Sequence, residues 1–373
     1  MISIIIKVFN GEETLAEALD SLVPQCSGHL CEVILSDNGS TDGTREIFQA
    51  YARRFPRVCL RIVDASRRRN KAYALNLAIG EARGDTLLFL DADDTVAPGW
   101  LDAMARALAR SPLVAARIDA KPLNPEWIHT IRPNSQDHGL DILTQEPFCP
   151  HAGGATLGFH RRVFEALGGF DETVTCLEDT DFCIRAHLKG FTITFVPDAI
   201  YNYRYRHTLE GIEGQARDYA QSLTFLRKRY AKKASLFEPR AWLSLAREFV
   251  HLAAEATRAG SRTPLEAAWF HHRLGAAKGE LIGALRYRIA PRWRSVGGVQ
   301  REFGKQHFNG QQGDSSPVQP KTPGRAGSRA DGHADGAAVS APTRERQPIT
   351  AETFDNSDCV WNRPDNEIRR RRA

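Results

Sequence analysis

The sequence predicts an α/β fold with a mixed, mostly parallel β-sheet, and three observations support this prediction. Residues 2–8 are dominated by Ile and Val, a composition typical of a strand that is buried on both faces. Strand and helix patterns then alternate along residues 2–90, which favours parallel strands joined by helical crossovers. The apolar fraction of 42% over 373 residues is sufficient for the core that such a sheet requires.

The elements of the first half follow from residue spacing and turn signals. Asn10-Gly11 ends the first strand, and Leu15, Leu19 and Leu22 then recur at helical spacing. The predicted strands cover 2–8, 32–35, 58–63 and 86–90, and the predicted helices cover 12–22, 41–55 and 70–82.

The second half is less regular, and its composition changes towards the end. Several prolines interrupt residues 111–150, so this stretch is expected to be irregular. Residues 309–350 almost lack large apolar side chains and are expected to be disordered. The remaining patterns predict helices at 161–167 and 180–189, a strand at 191–196 and mostly helix from 212 to 290. We therefore expect a first domain at 1–230, a helical extension at 231–300 and a basic tail at 301–373.

Charge and cysteine content indicate the cellular setting. The net charge is +5, and the basic residues gather after residue 200, which suits an acidic substrate or an anionic membrane surface. The tail has few interleaved aromatic residues, so no nucleic-acid partner is expected. The seven cysteines form no C-x-x-C pair and are expected to be reduced, as in the cytoplasm. The chain opens directly with a strand and has no run of about 18 apolar residues, so neither a signal peptide nor a membrane span is expected.

Three carboxylates follow the fourth predicted strand, at Asp91-Ala92-Asp93-Asp94. Open α/β sheets bind ligands at the carboxyl ends of their strands. Clustered carboxylates repel one another, and a hard divalent cation that also bridges to phosphate compensates them. The alternative is an acidic turn that caps the next helix, but the four apolar residues before the turn favour a metal site.

Two further polar segments are weaker signals on their own. Residues 36–44 (SDNGSTDGT) follow the second strand, where Asp37 could accept a hydrogen bond from a nucleoside or could simply belong to a capped turn. Residues 177–182 (LEDTDF) begin a helix, where the acidic cluster could be a cap or could hold a general base.

The order of these motifs resembles the inverting family 2 glycosyltransferases, which have the GT-A fold. The resemblance runs from Ile2 to about Tyr230. The matching segments are 9–15 (FNGEETL), 32–44, 70–76 (NKAYALN), 82–85 (ARGD), 164–172 (FEALGGFDE), 178–181 (EDTD), 197–199 (PDA) and 203–206 (YRYR).

The resemblance implies a nucleotide-diphospho-sugar transferase with a Rossmann-like sheet, Asp179 as general base, and Mg²⁺ or Mn²⁺ held by Asp91 and Asp93. The acceptor side is implied at Gly153, Gly154 and Glu178. The residues implied in donor binding are Phe9, Asn10, Glu12, Asp37, Asn38, Asn70, Asp91, Ala92, Arg204 and Arg206. The expected donor is UDP-, dTDP- or GDP-linked, and the expected acceptor is a saccharide or a lipid-linked sugar used in cell-surface polysaccharide or glycolipid synthesis.

Three positions depart from the family pattern. Lys7-Val8 stands where the first strand usually ends in a Pro before the turn, which puts the rim of the nucleotide pocket in doubt. Asn38 replaces the second acidic residue of the nucleoside segment, and Asn202 replaces a His that many members have before the Tyr-Arg pair. If that His contributes to metal or phosphate binding, other residues must do so here.

Several alternatives stay open at this point. A catalytically inactive protein of the same fold, which binds nucleotide sugars or acts as a scaffold, would keep many of these residues. A sugar-nucleotide pyrophosphorylase is disfavoured because residues 9–12 (FNGE) are acidic where a basic Gly-rich loop is needed. The basic helices after residue 231 could pack on the first domain, form a homodimer, or lie peripherally on the inner face of the cell membrane.

Overall fold

A computed structural model of the protein describes residues 1–131, 136–143, 147–231, 235–257, 260 and 262–291. The first elements are β1 (Ile2–Val8), α1 (Leu15–Leu22), β2 (Cys31–Asp37), α2 (Thr44–Arg54), β3 (Cys59–Asp64), α3 (Lys71–Glu81), β4 (Thr86–Asp91), β5 (Thr95–Val96) and α4 (Trp100–Leu108). They are followed by β6 (Leu113–Asp119), α5 (Glu126–Ile131), β7 (Asp141–Ile142), β8 (Pro150–His151), β9 (Leu157–His160), α6 (Arg161–Leu167), α7 (Glu178–Leu188) and β10 (Thr194–Asn202). The last helices are α8 (Leu209–Tyr230), α9 (Pro239–Ala256) and α10 (Pro264–Tyr287).

Within the described residues, eight strands form one sheet in the order β3-β2-β1-β4-β9-β6-β10-β5. β1 to β4 run parallel to one another, and β6 runs parallel to β10. β9 lies antiparallel between β4 and β6, and β5 pairs antiparallel with β10. The carboxyl ends of β1 to β4, β6 and β10 therefore lie along one edge of the sheet, where α/β proteins bind ligands.

The sheet is covered by apolar side chains on both faces. Ile4 and Ile6 of β1 pack on one core, whereas Ile5 packs on the other, because successive side chains of a strand point to opposite faces. The second core contains Phe159 and Phe182, whose rings stack with centroids 4.9 Å apart. These two cores fix the strands whose ends form the site.

The expected alternation of strands and helices in the first half is confirmed, with shifted boundaries. Helix α1 begins at Leu15 rather than at residue 12, since Glu12 is used in contacts between turns instead. The expectation of an irregular stretch at 111–150 is wrong in part, because β6 is a central, buried strand there. Its short apolar run lacks the periodicity that distinguishes a strand from other buried segments. Helix α4, strand β9 and the true start of β10 were likewise not foreseen.

The C-terminal helices form a closely packed group. Helix α10 presents Gly275, Gly279 and Gly283 to α8, so that the two backbones approach closely. A Cβ atom at Gly279 would lie 2.2 Å from the carbonyl oxygen of Arg217, a distance that only glycine permits. Helix α9 packs through Leu245 and Leu252, both buried.

The helical content expected for 212–290 is confirmed in the described residues. No helix in the described part of the chain is both long enough and apolar enough to cross a membrane. No two of the six cysteines in the described part are joined by a disulfide bond. The expected disordered tail lies outside the described residues.

Candidate active site

The carboxylates of Asp91, Asp93 and Asp94 converge at the end of β4. One oxygen from each lies within 4.8 Å of the others, a spacing that a single metal ion could span. Asp94 is buried, and the other two are partly accessible. Burial, together with the charge of Asp91, raises the pKa of both Asp93 and Asp94 above the ordinary Asp value. A divalent cation would relieve this repulsion, so the residues fit a hard metal ion.

Asp94 is the most firmly anchored of the three carboxylates. The hydroxyl of Tyr201 donates to its Oδ2 at 2.8 Å, and the backbone N–H of Arg204 donates to its Oδ1 at 2.7 Å. The same Tyr201 oxygen accepts the backbone N–H of Asp91 at 3.0 Å. Strand β10 therefore fixes the turn that follows β4, and the sequence did not single out Tyr201.

Basic side chains surround the carboxylate cluster. Arg206 lies 3.3 Å from Asp93, and the Nε of Arg204 donates to the backbone carbonyl of Asp93 at 2.8 Å. The ammonium group of Lys7, on β1, donates to Oδ1 of Asp91. The two arginines that the family resemblance implicated thus lie beside the carboxylate cluster. Lys7, which departs from the family pattern, lies there as well.

The candidate base Asp179 lies in the first turn of α7, beside the short segment that precedes β9. Its Oδ2 accepts the backbone N–H of Gly154 at 2.7 Å, and its Oδ1 accepts the N–H of Thr180 at 2.7 Å. The backbone N–H of Gly153 donates to Gln136 at 3.0 Å. Burial, with the charge of Asp179, raises the pKa of the neighbouring Glu178. Gly154 and Glu178 thus lie beside Asp179, and Gly153 precedes Gly154; that these residues face an acceptor stays a prediction.

The first turn of α7 is held from behind by a polar network. Asp181 is fully buried and accepts hydrogen bonds from Arg185 at 2.7 Å and from the Tyr230 hydroxyl at 2.6 Å. Arg229 lies 3.3 Å from Asp181 and 2.6 Å from Asp171. Helix α8 therefore fixes the position of the segment that carries Asp179, a role that sequence reasoning missed.

In the segment that the resemblance assigns to nucleoside binding, the Asp37 carboxylate is not open to solvent. Asp37, the last residue of β2, is fully buried, pairs with Arg45 and accepts the N–H of Ser40 at 2.8 Å. Arg45 is 38% exposed in its side chain and also reaches Asp64 at 3.3 Å. The Asp37 carboxylate is therefore enclosed, and Arg45 is the accessible member of this ion pair.

Most of the other residues that the resemblance implies in binding the sugar donor connect the loops at this edge of the sheet. The Asn10 side chain accepts the N–H of Thr41 at 2.9 Å, and the Glu12 carboxylate accepts the N–H of Gly43 at 2.9 Å. Asn10 itself has a positive φ of 54°. These contacts join the turn after β1 to the turn after β2.

A second pair of asparagines shapes the loop before α3. The Asn38 side chain accepts the N–H of Asn70 at 3.0 Å and donates to two carbonyls of the 65–68 loop. Asn70 caps α3 by accepting the N–H of Tyr73 at 2.8 Å. Ala92 is buried, and its backbone carbonyl accepts a hydrogen bond from the Thr14 hydroxyl at 2.9 Å. Ala92 therefore acts through its backbone in the turn that carries the carboxylate cluster.

Phe9 is the implied donor residue with the largest accessible apolar surface. It is 44% exposed, and the guanidinium of Arg69 lies over its ring at 4.0 Å from the centroid. An aromatic ring at the strand edge, already stacked on a cation, offers a planar surface against which a base could lie. Whether Phe9 and its neighbours bind the donor stays a prediction.

The comparisons with known proteins identify the family of the chain. The family model described as glycosyl transferase family 2 matches residues 3–168, and that of glycosyl transferase family group 2 matches residues 86–270. A PGL/p-HBAD biosynthesis glycosyltransferase of Mycobacterium bovis is 31% identical over 202 residues, which cover 52% of this chain and 72% of that protein. The chain belongs to glycosyl transferase family 2.

Other similarities cover less or are more distant. Succinoglycan biosynthesis protein ExoO of Rhizobium meliloti is 32% identical over 117 residues, 31% of either chain. Two matches to Bacillus subtilis proteins span only 22% and 60% of those proteins. The solved mannosyltransferase PcManGT of Pyrobaculum calidifontis, in complex with GDP-Man and Mn2+, is 21% identical with a TM-score of 0.49 and covers 83% of this chain and 80% of that one. The expected fold class, a mixed and mostly parallel sheet with a helical C-terminal extension, is confirmed.

Proposed function

We propose that the protein is an inverting, metal-dependent glycosyltransferase that moves a sugar from a nucleotide-diphosphate donor to an acceptor hydroxyl. The observation that carries this proposal is the convergence of Asp91, Asp93 and Asp94 at the sheet edge where the family binds its donor. A scaffold that binds neither metal nor nucleotide would have no need to keep three mutually repelling carboxylates in place.

Asp179 is the proposed general base. Each of its oxygens accepts one backbone N–H, which fixes the plane of the carboxylate. An ionised carboxylate has about four acceptor positions, so lone pairs are left for an acceptor hydroxyl. Removal of the hydroxyl proton by Asp179 as the new bond forms would give a single displacement, with inversion at the anomeric carbon.

The cluster of three aspartates is the proposed metal site, with Mg²⁺ or Mn²⁺ as the expected ion. A divalent ion there would offset the negative charge that grows on the departing diphosphate. Asp94 holds the turn in place through Tyr201, while Asp91 and Asp93 are the more accessible ligands. Arg206, which is 60% exposed in its side chain, is placed to contact the same phosphates.

The proposed acceptor is a saccharide or a lipid-linked sugar in cell-surface polysaccharide or glycolipid synthesis. The relative named for succinoglycan biosynthesis supports this class, although it matches only part of either chain. UDP-, dTDP- and GDP-sugars are all proposed donors, and Arg45, which is 38% exposed beside the buried Asp37, is the group placed to meet a base.

Helix α9 supports a peripheral membrane contact. Its acidic residues, Glu248 and Glu255, both pair with Arg273 of α10 at 2.7 Å. Its outer face carries exposed Leu243 and Val250 with the exposed Arg240 and Arg247, whereas Glu248 is buried and Glu255 lies beside Arg273. Such a face suits anionic lipid better than a symmetric dimer, in which like charges would meet.

The test is nucleoside diphosphate release from a panel of UDP-, dTDP- and GDP-sugars, with Mn²⁺, with Mg²⁺ and with EDTA. We expect slow hydrolysis of one donor that EDTA and Asp93→Ala abolish. Asp198→Ala is the matched control. It removes an exposed carboxylate of β10 that is not part of the cluster, and it should keep wild-type activity. If no donor is cleaved and none binds with metal, the protein is not a glycosyltransferase of this kind.

A further inference from the structure

Lys7 is a buried cation in the middle of an acidic site. It stands on β1 opposite Asp91 of β4, and paired residues of neighbouring strands share a face of the sheet. Its side chain is only 18% exposed, and its ammonium group donates to Oδ1 of Asp91. The first departure from the family pattern therefore lies against a proposed metal ligand.

The surroundings of Lys7 extend beyond Asp91. Burial disfavours its ammonium form, but the charges of Asp91, Glu178 and Asp179 offset this, and the pKa of Lys7 is raised. The ammonium group thus interacts electrostatically with both the carboxylate cluster and the proposed base. Of the residues that the structure describes, no other cation is recorded in contact with Asp91.

The carboxylates of the cluster already have partners without a metal. Asp91 is paired with Lys7, Asp93 with Arg206, and Asp94 with Tyr201 and a backbone N–H. A metal ion that arrives alone must compete with the ammonium group for Asp91. A diphosphate that arrives at the same edge offers the ammonium group another anion, which would leave Asp91 to the metal.

We propose that Lys7 is a resident cation of the diphosphate site, which pairs with Asp91 in the free protein and with the donor diphosphate when the donor binds. This inference rests on the proposed function and deepens it. It predicts that Lys7 weakens binding of metal alone and strengthens binding of a nucleoside diphosphate. An ammonium group that only neutralised Asp91 would not assist nucleotide binding, and its loss would leave a buried charge unpaired.

The test measures two affinities of the full chain and of Lys7→Met, which keeps the length of the side chain and removes its charge. Mn²⁺ binding without nucleotide is followed by electron paramagnetic resonance, and binding of UDP, dTDP and GDP in EDTA by calorimetry. We expect Lys7→Met to bind Mn²⁺ about tenfold more tightly and the tightest-binding of the three nucleotides about tenfold more weakly. Lys228→Met removes an exposed ammonium group from α8 and should change neither affinity.

The opposite changes in Mn²⁺ affinity and in nucleotide affinity distinguish this role of Lys7 from a purely structural one. A loss of both affinities, no change in either, or a change in the Mn²⁺ affinity alone would overturn the proposal. Lys7→Gln tests the same signs if Lys7→Met does not fold. If the wild type binds none of the three nucleotides in EDTA but binds one with Mn²⁺, the inference fails and the proposed function stands. If it binds none even with Mn²⁺, the proposed function itself fails.

Discussion

The backbone N–H of Gly154 donates a 2.7 Å hydrogen bond to the carboxylate of Asp179. The two residues are so close that a Cβ atom on Gly154 would lie 2.9 Å from the Cβ of Asp179 and 3.1 Å from its Oδ2. At Gly153, by contrast, a Cβ atom would meet only a methyl group of Thr156, at 3.9 Å. The glycine pair thus contains one residue that determines where the proposed base lies and one that does not.

Gly154→Ala should displace the Asp179 carboxylate and lower kcat of sugar transfer by about 10- to 100-fold, because a shift of about 1 Å in a reacting group has effects of this size. The KM for the donor should stay nearly constant, since the metal cluster is not touched. Gly153→Ala is the matched variant and should change kcat by much less. Equal losses in the two variants would show that Gly154 has no special relation to the base.

Tyr201→Phe should destabilise the protein by about 1 to 3 kcal/mol, because the buried Asp94 carboxylate loses a hydrogen-bond donor. The measurement is urea unfolding of a double-mutant cycle with Asp94→Asn. In the Asp94→Asn background the same substitution should cost less, since the charge that needs the hydroxyl is gone. Strictly additive effects would mean that the two side chains do not interact.

The sequence was most informative where function and topology coincide. Asp37 and Asp91 could be placed on the same edge because they end two parallel strands, and that rule needs no side-chain detail. The pairing of Arg45 with Asp37, and of Lys7 with Asp91, depends on rotamers and strand neighbours that a linear sequence does not specify. Strand β6 was missed because a short buried run has no periodicity to reveal it.

Asp171 gives a pH-dependent prediction. Burial opposes ionisation of its carboxylate, but hydrogen bonds from Thr173 and the Arg229 guanidinium prevail and lower the pKa of Asp171 from 3.8 to about 2. A lowered pKa stabilises the folded state at pH values above about 4, and this stability is lost as the pH falls towards 2. Asp171→Asn should therefore cost about 1 to 2 kcal/mol at neutral pH and progressively less on acidification.

Urea unfolding of wild type and Asp171→Asn at intervals between neutral pH and about pH 2.5 measures this difference. The gap between the two free energies of unfolding should narrow only below about pH 4. A gap that stays constant over the whole range would show that the carboxylate charge contributes nothing to the contact with α8.

Replacement of glycine by alanine should have opposite effects on stability at two positions of the C-terminal helices. Gly279→Ala would place a Cβ atom 2.2 Å from a carbonyl oxygen of α8, so the helices must separate, and we expect a loss of about 2 to 3 kcal/mol. Gly214→Ala, within α8, meets no atom within 4 Å and should stabilise by about 0.5 to 1 kcal/mol through helix propensity. Thermal and urea unfolding both report the sign, and a neutral Gly279→Ala would contradict the close packing of α8 on α10.

The outer face of α9 predicts binding to anionic vesicles. Arg240 and Arg247 lie on this face with exposed Leu243 and Val250, and Phe237, just before the helix, is 86% exposed. Each basic residue near an anionic surface contributes about 1 kcal/mol, so the double variant Arg240→Glu/Arg247→Glu should bind at least about tenfold more weakly. Phe237→Ser should weaken binding as well, because the ring would otherwise enter the interface.

Co-sedimentation with phosphatidylglycerol vesicles, with phosphatidylcholine vesicles as reference, measures this binding. Arg53→Glu/Arg57→Glu makes the same change of charge on exposed residues at the end of α2 and beyond it, and it separates a local surface from net charge. If both double variants lose binding equally, attraction is a property of overall charge and α9 has no special part in it. If the α9 variant instead alters the sedimentation coefficient in the absence of lipid, the face joins two copies of the chain. The arginines favour lipid over self-association, because a two-fold contact on this face would bring like charges together while both acidic residues of α9 already pair with Arg273.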